Sequence, residues 1–322
     1  SNYVSRFEAA WSSYSDNLYS TMVSSGTAAY QVALEALEFD PVETCVLLQN
    51  NTWASILFTT KRLGYMYDYI DCDEYLQYST DALENWLREN RHLFKDVVLV
   101  PTHILGHPCD MASITTIAEK YSCYIIEDCS QAHGASCRAG NVGQFSHIAF
   151  WSLYPGKNLG GVSEAGVVST NISYYKKTID SLINCGMSEK HNFISEGFNF
   201  RPCGVSAIAL YHKLKKLDEW NNKRIVIAKQ YSKVFEDRKS SYCRKHFYNY
   251  YTIFVKDRDT IVNRLSIPYS INYPFTLSSL ENNYGQYSNS MRYSKEMICL
   301  PCHPHLTHDN ISKIMEEVRN AL

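Results

Sequence analysis

The segment Phe150-Trp151-Ser152-Leu153-Tyr154-Pro155-Gly156-Lys157-Asn158-Leu159-Gly160-Gly161 sets an aromatic, strand-like run directly before a lysine flanked by glycines and a proline. Proline and glycine punctuate local structure, so Lys157 sits on a loop rather than a helix face. Upstream, Ile125-Ile126-Glu127-Asp128 reads as a buried strand that ends in an acid. A loop lysine is most often solvated and inert. What Lys157 does depends on what the fold brings to it.

Working outward, the first two-thirds of the chain alternates strand-like and helix-like runs. Ala28 to Leu37 has helical apolar spacing. Thr44 to Leu48 and Tyr65 to Ile70 read as strands, and Asp81 to Leu93 as an amphipathic helix. Val97 to Val100 is a strand stopped by Pro101. Met111 to Tyr121 is a helix with Asp110 as its N-cap. Tyr124 to Ile126, Ile148 to Trp151 and Gly166 to Ser169 complete the strands. Such alternation predicts an α/β fold with a largely parallel sheet covered by helices on both faces. After Asn199 the texture changes. Val205 to Trp220 and Asn222 to Phe235 read as helix, Tyr248 to Val255 as a strand, a polar Tyr-rich stretch follows, and Asp309 to Leu322 forms a last amphipathic helix. The expected division is a large lobe over residues 1–211 and a smaller α+β lobe over residues 212–322.

Composition narrows the function classes. The chain has 322 residues, 45% of them hydrophobic, and a net charge of -2. That excludes disorder and removes any bulk electrostatic reason to expect nucleic acid or an anionic membrane as partner. No apolar run approaches the roughly 20 residues that span a bilayer. Ser1 to Glu8 has neither the basic nor the apolar region of a signal peptide, so a cytoplasmic location is expected. The 11 cysteines then read as reduced, small apolar residues. Asn50-Asn51-Thr52 and Asn171-Ile172-Ser173 match glycosylation acceptors, which means little without export.

Several residues can carry chemistry. Ser24-Ser25-Gly26-Thr27-Ala28-Ala29 opens a helix, and free N–H groups there suit an anion such as a phosphate; a plain Ser/Thr cap is the compatible alternative. Asp128 ends its strand at the sheet edge where ligands collect in open α/β sheets. It either caps the next turn or holds a ring nitrogen. Gln131 and His133 follow on the same loop. Trp53 lies just past a strand end and either stacks on a planar group or belongs to the core. A lysine amine that forms a Schiff base, with a carboxylate for a pyridinium nitrogen, is the pairing pyridoxal 5'-phosphate chemistry requires. Cys299-Leu300-Pro301-Cys302-His303 matches a haem-attachment spacing, with His305 and His308 nearby. Haem attachment needs export, and no metal is expected.

With Lys157, Asp128, Trp53 and the Ser24 to Ala29 turn in this order, the chain resembles the DegT/DnrJ/EryC1/StrS family of pyridoxal-phosphate-dependent nucleotide-sugar aminotransferases of fold type I. The resemblance covers almost the whole chain. It is carried by Ser24 to Ala29, Gly106-His107-Pro108-Cys109-Asp110-Met111, Ile126 to Ala135, Tyr154 to Gly160, and Gly197-Phe198-Asn199-Phe200-Arg201. It implies that Lys157 carries the Schiff base and shuttles protons, that Asp128 pairs with the pyridine nitrogen, and that Gln131 contacts the ring hydroxyl. Trp53 would stack on the ring. The Gly26 and Thr27 amides and the Ser152 hydroxyl would bind the phosphate. Asn199 would reach the phosphate in the other subunit of a homodimer with shared active sites.

The resemblance further implies transfer of an amino group from glutamate to a nucleotide-linked keto-sugar. The lysine loop and the Gln131-Ala132-His133-Gly134-Ala135 run look most like relatives that aminate C-3 of a dTDP-3-keto-6-deoxyhexose. The alternatives are amination at C-4 of a UDP-, GDP- or dTDP-4-keto-6-deoxyhexose and a cofactor-free regulatory relative. Dehydratase relatives replace the lysine with histidine, and Lys157 is present. Departures fall in the substrate shell: the chain starts late, the usual His-Tyr-Pro of the small lobe is Asn272-Tyr273-Pro274, Val162-Ser163-Glu164-Ala165-Gly166 follows the lysine loop, and Pro202-Cys203 follows Arg201.

Overall fold

The computed structural model describes residues 2–283, 285 and 287–322; Ser1, of the expected large lobe, and Tyr284 and Gln286, of the Tyr-rich stretch, lie outside them. In chain order, α1 (Asn2–Ser15) and β1 (Tyr19–Val23) precede α2 (Gly26–Glu35), β2 (Thr44–Gln49), α3 (Ser55–Arg62) and β3 (Met66–Ile70). Then come α4 (Thr80–Asn90), β4 (Asp96–Val100), α5 (Met111–Tyr121) and β5 (Tyr124–Asp128). β6 (Ser136–Cys137), β7 (Ile148–Ser152), β8 (Gly166–Thr170) and α6 (Ser173–Leu182) follow, then the small hairpin β9 (Met187–Glu189) and β10 (Asn192–Phe193). The remainder is α7 (Gly204–Leu214), α8 (Leu217–Tyr231), β11 (Cys243–Lys245), β12 (Tyr251–Phe254), α9 (Arg258–Val262), α10 (Ser288–Glu296), β13 (Met297–Leu300) and α11 (His308–Ala321).

The main sheet has seven strands in the order β1-β8-β7-β5-β4-β2-β3. From β7 to β3 every pairing is parallel, while β8 runs antiparallel to both its neighbours. The predicted α/β architecture is therefore present, with β1 and β8 added to the parallel core. β2 is buried along its whole length and β4 along all but its first residue, which is why they read as unbroken apolar runs rather than alternating ones. One face of the sheet is covered by α2 and α6, packing Tyr30, Leu34 and Ile179 against Val46, Val98 and Phe150. On the β4 side, α4 and α5 contribute Leu83, Leu87, Ile114 and Ala118 to the opposite face. α1 and α7 bury Phe7, Trp11, Ala207 and Leu210 near β7 and β8 on that opposite face. The predicted Asp110 cap is made, its side chain accepting from Ser113 N at 3.3 Å.

Two helical runs differ from the expectation. The first ends at Leu214, the second starts at Leu217, and Lys215 and Lys216 form the turn between them. The break lets Leu214 and Leu217 both reach the cluster around Trp11, while Ile227, Ala228 and Tyr231 pack into a separate core with β12, β13 and α11. β12 is also shorter than expected, because Phe247 and Asn249 give their N–H groups to Gly106 and Leu105 of the large lobe instead of a ladder. We propose that the lobes divide close to the α7–α8 turn, a few residues beyond position 212. Among the described residues no helix is long and apolar enough to cross a membrane.

Three buried imidazoles lie in or near this lobe contact. His107 donates from Nδ1 to Pro108 O at 2.9 Å and accepts from Ser240 N at 3.2 Å, an arrangement that only a neutral ring satisfies. Burial pushes its pKa down to about 4. Burial, and then the nearby Lys157, push His133 to about 3, and burial with His107 holds His246 well below the ordinary range. Unfolded imidazoles titrate near 6.5, so these groups bind protons mainly in the unfolded chain. Their contribution to stability is complete above about pH 6.5 and is lost as the pH falls towards the folded values, at up to about 1.4 kcal/mol per pH unit for each ring. Raised carboxylates such as Glu35, pushed by burial to about 7, act in the opposite sense, so the test is a difference: between pH 6.5 and 4.5 the pH slope of stability in urea is expected to differ by about one proton between His246→Gln and wild type. A variant slope equal to the wild-type slope would reject this assignment.

Candidate active site

The C-terminal ends of the parallel strands converge on a cavity of about 700 Å³. This is the edge at which open α/β sheets place ligands. β2 leads into Thr52 and Trp53, β5 ends on Asp128, and β7 ends on Ser152 and leads into the lysine loop; all line the cavity. Gly26, Thr27, Gln131 and Lys157 also line it, so seven of the eight sequence-predicted site residues meet there. The one outside is Asn199, which is exposed and accepts from Arg201 Nε at 3.0 Å. Its neighbour Phe200 is tied to the turn before α2, since Phe200 O accepts from Ser24 N at 2.9 Å.

Lys157 is held by a tight loop. Its N–H donates to Tyr154 O at 2.9 Å, and Gly161 N closes the loop on Leu153 O at 2.8 Å. A Cβ on Gly160 would lie 2.3 Å from Pro155 O, so a glycine is required for that return. Burial lowers the ammonium pKa of Lys157, and the charge of Asp128 partly restores it. Conversely, burial raises Asp128, and Ser130 and Lys157 oppose that rise. Asp128 is 4% exposed; its carboxylate accepts from Ser130 N at 3.0 Å and from Thr102 Oγ1 at 3.4 Å. An amine eased toward its neutral form thus shares a cavity with a buried acid.

The Ser24 to Ala29 turn does both things its sequence suggests. Ser25 caps α2 by accepting from Ala28 N at 3.1 Å, while Gly26 and Thr27, the first residues of the helix, line the cavity. A Cβ on Gly26 would lie 2.6 Å from Ser152 Cβ and 3.0 Å from Ser152 Oγ. The helix start and the Ser152 hydroxyl can therefore approach one another only because residue 26 has no side chain. Gly26→Ala is expected to weaken binding of a phosphate-bearing ligand about 10- to 100-fold, the effect of one or two charge-assisted hydrogen bonds. Titration of pyridoxal phosphate into the protein measures it, and wild-type affinity would contradict the cradle.

Trp53 is 54% exposed and belongs to no core cluster; its ring lies 5.6 Å from that of Tyr273, across the cavity wall from the small lobe. Gln131 Oε1 accepts from Leu105 N at 2.8 Å, and its Nε2 donates to Tyr273 OH at 2.9 Å. His133 stays behind the wall, bonded through Nε2 to Ser152 O at 2.9 Å.

The sequence reading passed over a buried amide network next to the lysine. Asn158 Nδ2 donates to Asn221 Oδ1 and Phe247 O, and Asn158 Oδ1 accepts from Asn249 Nδ2, at 3.0–3.1 Å. Asn221 Nδ2 then reaches His133 O at 2.9 Å. The residue after Lys157 is thereby tied to α8, to the small lobe and to the loop after Asp128. Only the position of Asn158 beside the lysine hinted at it.

Cys299, Cys302 and His303 do not bring their ligand atoms together within 4.8 Å of one another. Among the described residues, the one group whose ligand atoms lie within 4.8 Å of each other is His103, Glu127 and Cys129. Glu127 there is already engaged by His103, Gly143 N, Phe145 N and Ser146 Oγ, and His103 Nδ1 accepts from Cys109 N. That cluster braces the strand behind Asp128.

Residues 1–319 match the model of the DegT/DnrJ/EryC1/StrS aminotransferase family. The chain belongs to this family. A DegT/DnrJ/EryC1/StrS relative from Streptomyces venezuelae, a dTDP-3-amino-3,4,6-trideoxy-alpha-D-glucose transaminase, is 26% identical over 97% of this chain and 85% of its own length. A protein of the same name from Micromonospora megalomicea subsp. nigra is 28% identical over 99% of this chain and 89% of its own. The crystal structure of S. venezuelae DesV in complex with a ketimine intermediate superposes with a TM-score of 0.92 at 24% identity, covering 99% of this chain and 88% of that one. The fold is thus that of the family's solved members, and the protein is an aminotransferase.

The residues present fit pyridoxal phosphate, the cofactor of this enzyme class. The glycine cradle at Gly26 would be filled by any side chain. Thr52 Oγ1 is buried at the cavity without a protein partner. The donor set combines a lysine amine, a carboxylate and helix-start amides.

Proposed function

We propose that the protein transfers an amino group from glutamate to a nucleotide-linked keto-sugar, at C-3 of a dTDP-3-keto-6-deoxyhexose. The observation that carries this is the pairing of Lys157 with buried Asp128 in one cavity whose rim is the Gly26–Ser152 cradle. The sugar-nucleotide part leans on the relatives, both named for a 3-amino dTDP-sugar. Amination at C-4 of a UDP-, GDP- or dTDP-4-keto-6-deoxyhexose remains the alternative that the substrate panel below separates. A cofactor-free regulatory role is disfavoured by the intact lysine, acid and cradle.

Pyridoxal phosphate, when bound, supplies an electron sink for the carbon from which a proton is taken. Lys157 Nζ anchors it and moves that proton between carbon atoms, which requires a neutral amine part of the time. Burial favours that neutral form. Asp128 holds the ring nitrogen in its protonated state by its charge. Gly26 N, Thr27 N and Ser152 Oγ orient the phosphate at the start of α2. Gln131, fixed between Leu105 and Tyr273, would contact the ring hydroxyl, and Trp53 would stack on the ring; both line the cavity. Asn199, away from this cavity, is available to a second copy, and a homodimer with shared sites fits that placement. A cytoplasmic location accords with 11 unpaired cysteines.

Purified protein supplied with pyridoxal phosphate should be yellow, and borohydride should fix the cofactor to the peptide that holds Lys157. Glutamate should then bleach the visible band, and a panel of dTDP-, UDP- and GDP-linked 3-keto and 4-keto sugars should restore it with one class only. A protein that stays colourless in excess cofactor would end this reading. Restoration by 4-keto sugars alone would move the amine to C-4.

A further inference from the structure

A second cavity, of about 260 Å³, opens beside the first; Gly156, Asn249 and Tyr250 line both. On its floor lies Arg224, whose side chain is only 7% exposed. Its partners among the described residues are backbone carbonyls reached through Nη1, those of Tyr248 at 3.2 Å, Asn249 at 3.3 Å and Cys302. Its Nε is buried without a partner, and no carboxylate is paired with it among the described residues. A buried guanidinium without a counter-charge is costly, since burial removes its hydration and neutral carbonyls return only part of that.

The rest of the lining is suited to an anion. His303 stands at the exposed side of the same cavity. Ser270 Oγ accepts from Asn272 Nδ2 at 3.2 Å, which leaves its own proton to donate. Asn272 in turn lines the active-site cavity, so the two spaces share a wall. Burial, and then the charge on Arg224, hold His303 below its ordinary pKa, a bias that a bound anion would reverse. The motif with the haem-attachment spacing contributes Cys299, Pro301, Cys302 and His303 to this cavity.

We propose that Arg224, His303 and Ser270 form an anion subsite that takes a carboxylate or phosphoryl group of a substrate bound at Lys157. The naming of the ligand rests on the aminotransferase reading above. In that setting the group is either a carboxylate of the amino donor or a phosphate of the nucleotide. The shared chemistry is an oxyanion held by a guanidinium.

The test uses holoenzyme of wild type, Arg224→Met, Arg224→Lys and His303→Gln. Single-turnover rates are measured against glutamate, L-alanine and the keto-sugar nucleotide. If the donor's side-chain carboxylate binds here, Arg224→Met raises the half-saturating glutamate concentration about tenfold or more while that for L-alanine stays put. If the donor's α-carboxylate binds, both amino acids shift; if a phosphate binds, the nucleotide-sugar alone shifts. Arg224→Lys is expected to recover part of the loss, and a packing role would not produce this substrate-selective pattern. All three substrates within twofold of wild type, in a variant that still binds pyridoxal phosphate, overturns the proposal. Where Arg224→Met does not fold, calorimetric titration with inorganic sulfate decides: wild type binds it and His303→Gln binds it more weakly. No sulfate binding by wild type overturns the subsite. Because that titration needs no turnover, its failure is distinct from failure of the transaminase reading.

Discussion

Lys157→Ala is expected to lower turnover by at least about 10²–10⁴-fold, the share that positioned proton transfer alone contributes, with a thermal melt close to wild type. The loop that carries residue 157 is closed by backbone bonds, Lys157 N to Tyr154 O and Gly161 N to Leu153 O, and neither uses the side chain. Burial disfavours the ammonium form, so truncation also removes a charge that folding has to accommodate. The variant should still take up cofactor through the Gly26–Ser152 cradle, yet lose it on dialysis and resist fixation by borohydride. In wild type, the rate with glutamate should rise with pH through the lowered lysine pKa and then level off; this limb should vanish in the variant. Lys157→Arg separates base from charge, because it keeps a cation that does not give up its proton. Wild-type rates in either variant would remove Lys157 from the reaction.

How much of this was legible beforehand depends on the range of the interactions. The parallel strands were readable because Val97 to Val100 and Thr44 to Leu48 are buried on both faces and bounded by turn residues. Local chemistry was readable too: the Asp110 cap, the Ser25 cap and the glycine-bounded loop of Lys157 each span only a few residues. α1 and β1 were missed. α1 is buried mainly through Phe7 and Trp11, amid serines and tyrosines, and β1 carries Ser20 and Thr21, whose partners Ser169 and Asp180 lie far along the chain. The amide network around Asn158 is beyond single-sequence reading for the same reason, since its partners are Asn221, Phe247 and Asn249. Arg224 falls within the expected helical run Asn222 to Phe235, and only the packing of α8 against the small lobe makes it a buried cation. The tyrosine-rich composition also has a tertiary explanation in part. Tyr30, Tyr78, Tyr231 and Tyr251 fill core volume while their hydroxyls reach Thr60, Leu47 O, Pro301 O and Phe235 O.

Asp128→Asn is expected to cost on the order of 10³-fold in rate, at the upper end of what one preorganised electrostatic contact is worth, and to leave the unliganded protein no less stable. The substitution keeps the shape of the side chain. Oδ1 can still accept from Ser130 N, and the new Nδ2 meets Thr102 Oγ1, whose oxygen can accept. What disappears is a negative charge in a site where burial already raises the pKa of the acid above its ordinary value. A carboxylate whose folded pKa is raised stabilises the fold in its protonated form, and that contribution fades as the pH climbs through the folded pKa. The ionised acid is therefore a net strain on the empty protein, eased by Lys157, and a neutral amide relieves it. Activity runs the opposite way. The ionised acid is expected to face the ring nitrogen, whose positive charge would draw the pKa of Asp128 back down; wild-type rate should fall as the pH drops through that holoenzyme pKa, and Asp128→Asn should lack that acidic limb. Because Asp128 is proposed to touch the cofactor and not the substrates, both half-reactions should slow together while half-saturating glutamate changes little. A variant that loses only one half-reaction, or that keeps a rate within tenfold of wild type, would place the ring nitrogen somewhere other than at Asp128.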